Sequence, residues 1–148
     1  MKFQTGDFSA GTSGRTEKME NTDMTMDELL FWNKWPQLLA LYEVLKTRLE
    51  EKYPDLKIKV SKSQISFYNR HLFAMTSPPV RRKKDWPKEF MMVSFGLPYQ
   101  AVSPRIAVST EAYPGRWTHH VPVETAGEID DTLLAWIDEA YAFSQSKR

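Results

Sequence analysis

The spacing of apolar residues along this chain changes period twice, and that restricts the fold more than any other feature. Leu38, Leu41, Leu45 and Leu49, with Tyr42 beside them, recur at the period of one helix face. Pro36 suits the first turn of that helix, and Pro54 ends it by pushing its predecessor out of the α region. From Lys57 the period becomes two. Ile58 and Val60 alternate with Lys57 and Lys59, and Ile65 and Phe67 alternate with Gln64, Ser66 and Tyr68. Asn69-Arg70 reads as a tight hairpin turn, with a return strand over residues 71–76 closed by Pro78-Pro79. Residues 90–95 form a strand apolar enough to be buried on both faces. Ile106 and Val108 mark another strand, and residues 117–123 a last one after the Tyr113-Pro114-Gly115-Arg116 turn. The helical period then returns: Ile129, Leu133, Trp136, Ile137, Ala140 and Tyr141 make one stripe, preceded by Thr125 and Glu128 at capping-box spacing.

Helices, then hairpin-connected strands, then one helix predict an α+β fold. Its mostly antiparallel sheet has about five or six strands, with the N-terminal helices and one C-terminal helix packed on one face. Trp136, Ile137, Tyr141, Leu41, Leu45, Ile65, Phe67, Met92, Ile106 and Val108 are the expected core. Residues 1–24, rich in Gly, Ser, Thr and charge with only Phe3 and Phe8 as aromatic anchors, are expected as a weakly ordered tail. A second capping-box pair, Thr25 and Glu28, starts the order, so residues 25–148 are expected to form a single domain.

A chain of 148 residues with a net charge of +1 has no global field to recruit nucleic acid or an anionic membrane. With no cysteine, disulfides, thiol nucleophiles and thiolate zinc sites are excluded. No apolar run approaches the ~20 residues a membrane helix needs, and the N-terminus lacks the apolar centre of a secretory signal. A cytoplasmic location with no membrane partner is expected. No phosphate-binding glycine loop, dinucleotide fingerprint or Gly-x-Ser-x-Gly elbow occurs, and no cofactor or metal is expected.

Four segments carry a family resemblance. They are Leu41-Tyr42-Glu43; Lys62-Ser63-Gln64-Ile65-Ser66-Phe67 with Arg70 and Phe73-Ala74; Tyr113-Pro114-Gly115-Arg116-Trp117-Thr118-His119-His120-Val121; and Ile129-Asp130-Asp131 with Trp136 and Ala140-Tyr141. From about residue 35 to residue 143 this pattern resembles the bacterial domain-of-unknown-function family 5655. The resemblance implies a stand-alone or appended bacterial domain and no established reaction, so no catalytic residue is carried over.

The candidate binding surface is the strand face opposite the core. Lys62, Gln64, Ser66 and Tyr68 share it, and Arg70 adjoins it in the turn. A solvated sheet face is the plainer reading; the preference for a ligand surface follows the resemblance. His119 and His120 cannot chelate one ion from a regular strand, because neighbours point to opposite faces. His119 goes with Trp117, Val121 and Val123 on the core side, whereas His120 goes with Thr118, near Arg116 and Tyr113. The Thr118–Pro122 segment superficially has the form of a ββα-metal nuclease strand. The following helix, residues 130–146, lacks the Asn or His that such a site requires. Arg81, Arg82, Lys83, Lys84, Trp86 and Lys88 make a small basic loop that could neutralise phosphates and stack a base, although a solvated loop with Trp86 folded back is the simpler reading. The leading expectation is a non-enzymatic binding or accessory module for an anionic or polar ligand or a protein segment. The alternatives are an enzyme using His120 as acid–base with Arg116 or Lys62 holding an anion, and weak nucleic-acid binding through the 81–88 loop.

Overall fold

In the computed structural model, residues 24–79, 84 and 86–147 are described. The tail expected over residues 1–24 lies outside the described residues apart from Met24, as do Arg81, Arg82 and Lys83 of the basic loop. The chain divides into two units, Met1–Leu30 and Phe31–Arg148. The described part of the first begins helix α1 (Met26–Phe31). Its start is a reciprocal capping box: the Thr25 N–H donates to Glu28 Oε1 at 2.8 Å, and the Glu28 N–H donates to Thr25 Oγ1 at 3.2 Å.

In the second unit, α2 (Pro36–Lys52) has Pro36 in its first turn and buries Leu38, Leu41, Tyr42, Leu45, Lys46 and Leu49 along one stripe. Six antiparallel strands follow: β1 (Lys57–Val60), β2 (Ile65–Tyr68), β3 (Leu72–Ser77), β4 (Met91–Leu97), β5 (Val108–Tyr113) and β6 (Arg116–Val123). They lie in the order β1-β2-β3-β4-β6-β5, so the last strand in sequence is inserted beside β4. Helix α3 (Asp131–Gln145) closes the chain.

Register sorts the residues onto two faces. Phe67, Ala74, Phe95 and His119 align across β2, β3, β4 and β6. This face meets both long helices: Tyr42 of α2 stacks on Phe67, and Trp136 of α3 stacks on Phe95 with ring centroids 5.7 Å apart. One irregularity re-aims a side chain. Phe67 pairs with Ala74 but Tyr68 pairs with Leu72, which leaves Phe73 as an extra residue on β3. The bulge turns Phe73 toward the helices, where its ring meets Tyr53 at 5.3 Å and Tyr141 at 5.2 Å.

Several expectations change in detail. The Thr125–Glu128 capping box is present, but it caps a short 3-10 turn, Ala126–Glu128. Asp130 caps α3 itself by accepting from the Leu133 N–H at 3.0 Å, and it also binds Arg105 through both carboxylate oxygens. Leu41, Leu45, Ile65, Phe67 and Ile137 are buried, whereas Trp136, Tyr141 and Ile106 are half-buried. Met92 is buried and Val108 half-buried, yet register puts both on the face away from the helices, and β4 is buried along its whole length.

Candidate functional site

On the face away from the helices, one row of paired residues crosses the whole sheet: Lys59, Ser66, Met75, Ser94, His120 and Val108. Antiparallel register alone makes this row, by bringing residues far apart in sequence side by side. Side-chain hydrogen bonds hold several of its members. Gln64 donates through Nε2 to Ser66 Oγ at 3.0 Å, with Met75 Sδ at 3.1 Å from the same nitrogen. Ser94 Oγ and His120 Nδ1 are 2.7 Å apart.

Beside this row opens a cleft of about 630 Å³. Met92 on β4 and Val108 on β5 flank His120 in its wall. Pro78 and Pro79, at the exit from β3, supply rigid apolar surface. Trp86 and Phe90, edge to face at 5.9 Å, form another side, and Ser63 and Ser77 add hydroxyls. A mostly apolar concavity with a few fixed polar groups is the usual form of a small-molecule site.

Burial, and secondarily the neighbouring His119, hold His120 below the ordinary histidine value, so it is neutral at pH 7. Its Nδ1 is committed to Ser94, and Nε2 has no hydrogen-bond partner among the described residues. When Ser94 donates, Nε2 carries the proton and is a donor; when Nδ1 donates to Ser94, Nε2 is an acceptor. A ligand therefore meets one oriented, uncharged hydrogen-bonding group.

His119 has a different role. It is 0% exposed, stacks on Phe95 at 5.3 Å, and accepts the Ala101 N–H at Nε2 over 2.9 Å. That bond requires a lone pair on Nε2, so the proton sits on Nδ1 and the ring is neutral. Burial lowers its pKa, against a smaller opposing pull of the Phe95 and Trp117 backbones. His119 thus fastens the connection between β4 and β5 to the sheet.

The other sequence candidates scatter. Lys62 is exposed in the turn before β2, and Arg70 is exposed in the β2–β3 turn. Ser66 is only 5% exposed and is engaged by Gln64, so these two do not present a row of open donors. Tyr68 is half-buried at the end of β2. Tyr113 is exposed at the end of β5 and accepts from Lys147 Nζ at 3.2 Å. Arg116 lies on the same face as His120, against Gly96. In the basic loop Lys84 and Lys88 are exposed, while Trp86 turns into the cleft. Of the eight ligand candidates, only His120 lines the cleft. Ser94, Met92, Phe90, Val108, Ser63, Ser77 and the two prolines were not indicated. The one signal for them was Ser94, a polar residue inside an otherwise apolar strand.

Among the described residues, no helix is long and apolar enough to cross a membrane. A family model described as Domain of unknown function (DUF5655) matches residues 30–144. No curated protein and no solved structure matches the chain.

Proposed function

Because the chain belongs to the DUF5655 family, whose description assigns no reaction, its role must come from its own site, and we propose that it is a non-enzymatic module that binds a small molecule in the cleft beside His120. The observation that carries this is the oriented, neutral imidazole set in an apolar wall. The ligand has an apolar body matched to Trp86, Phe90, Met92 and Val108, and one group that hydrogen-bonds Nε2. This moves the binding surface from the Lys62–Arg70 end of the sheet to its β4–β6 centre.

The Ser94–His120 contact also has the form of a nucleophile and its base. Ser94 is 6% exposed, however, does not line the cleft, and is held by His120 Nδ1. The serine orients the imidazole and is poorly placed to attack a ligand.

A fragment screen by protein NMR tests the proposal. Bound fragments are expected to shift the His120 and Val108 signals together, and Val108→Trp, which fills the cleft, is expected to abolish binding. A fragment at ~100 times its dissociation constant adds about 2.7 kcal/mol of stability. Hits that leave His120 unmoved, or that bind V108W as well as the wild type, would overturn it.

A further inference from the structure

We infer that Arg116 forms an oxyanion subsite on the outer face next to the cleft, so that the ligand of the cleft is an apolar carboxylate. The apolar half of this assignment rests on the cleft reading above; the charged half rests on separate geometry.

Arg116 follows Gly115, whose φ of +85° turns β5 into β6. Arg116 shares its strand face with Thr118 and His120. Its guanidinium crosses to β4 and lies on Gly96. A Cβ at position 96 would stand 2.5 Å from Nη2, 2.7 Å from Nε and 2.9 Å from Cζ. Only a glycine there lets the side chain lie against the backbone instead of extending into water. Nε is buried with no hydrogen-bond partner, and among the described residues no carboxylate pairs with the group. A half-buried cation with a buried, unsatisfied N–H and no counter-charge is costly, and an anion that reaches its remaining N–H donors offsets part of that cost. The planar fork of donors suits a carboxylate, which it can hold through two parallel bonds.

Position connects this cation to the cleft. Met92, Ser94 and Gly96 lie on one face of β4 in steps of two residues, about 7 Å each. Met92 lines the cleft, Ser94 holds His120, and Gly96 carries Arg116. Apolar wall, neutral hydrogen-bonding ring and cation therefore succeed one another over about 14 Å. A ring or short chain of that length ending in a carboxylate reaches all three.

The test compares 5-phenylpentanoate with 5-phenylpentan-1-ol on the whole chain by calorimetry, with NMR of the Arg116 Nε–H. The carboxylate is expected to bind about tenfold tighter or more, since a charge-assisted hydrogen bond is worth at least that factor. It should also shift the Arg116 Nε–H signal, and Arg116→Gln should remove the preference. If R116Q fails to fold, the two probes and the Nε–H signal on the wild type decide alone. Equal affinities with shifts at His120 overturn the subsite and leave the cleft standing. No binding of either probe overturns both. A preference that survives R116Q, or leaves the Nε–H unmoved, also refutes the assignment. Inorganic phosphate shifting the Arg116 signal as strongly as the carboxylate, with Val108 silent, would indicate a free-anion site instead.

Discussion

Replacing His119 with Phe separates its packing from its hydrogen bond. The phenyl ring retains the aromatic surface facing Phe95, but the Ala101 N–H loses its acceptor in a buried position. An orphaned buried donor costs about 1–3 kcal/mol. His119 Nδ1, itself buried without a partner, is replaced by carbon, which offsets part of that. A net loss of about 1–2 kcal/mol at pH 7 is expected, near the middle of the range for single substitutions. The pH dependence provides a sharper readout. Both His119 and His120 have lowered pKa values in the folded protein. The unfolded chain therefore binds more protons below its ordinary histidine pKa of about 6.5, and stability falls as the pH drops through that value. Each histidine contributes at most about 1.4 kcal/mol of loss by pH 5.5. Urea denaturation of the wild type and H119F at pH 7.5, 6.5 and 5.5 measures both effects. H119F should be less stable at pH 7.5 and lose less on acidification, since only the His120 share remains. A wild type of constant stability across these pH values, or an H119F variant with the steeper loss, would refute the assignment of a neutral, accepting His119.

Other outcomes follow from particular contacts. Phe67→Ala, which removes a fully buried ring stacked on Tyr42, should cost about 3–5 kcal/mol in chemical denaturation. Asp130→Ala should cost about 1–2 kcal/mol in the same assay, because the α3 cap is lost together with the Arg105 bond. The Arg105 hydrogen bond, above all, holds the Asp130 carboxyl below the usual aspartate value. Its contribution is therefore complete above about pH 3.9 and lost as pH falls through the lowered value, so D130A should show a weaker acid dependence there. Gly115→Ala should cost about 1 kcal/mol even though open space surrounds the site, because alanine resists a φ of +85°; thermal unfolding measures it.

The architecture was largely legible because it depends on local periods. Leu38 to Leu49 at helical spacing became α2, and the alternation of Ile65 and Phe67 with Ser66 and Tyr68 became β2. Alternation likewise separates His119 from His120: one is enclosed beside Phe95 and the other lines the cleft. The site was much less legible, because its composition depends on which strands become neighbours. No local pattern says that Ser94 will face His120 across β4 and β6, or that Val108 will lie beside both. Met92 and Val108 were assigned to the core because apolar residues in strands are usually core, but the cleft also takes apolar residues. The capping box at Thr125 was real and still marked the wrong helix start, since a single 3-10 turn satisfies the same hydrogen bonds.

The insertion of β6 between β4 and β5 affects how the molecule comes apart. β5 touches the sheet only through β6, so the two form a hairpin hinged at Gly115 and joined to the remaining strands along one seam. His120 and Val108 ride on that hairpin, while Ser94, Met92 and Gly96 stay with the body. Were the hairpin to peel back, the Ser94–His120 contact would part and His120 and Val108 would leave the rest of the cleft together, with β1 to β4 still laddered together. Amide exchange along β6 should accordingly report on the integrity of the cleft.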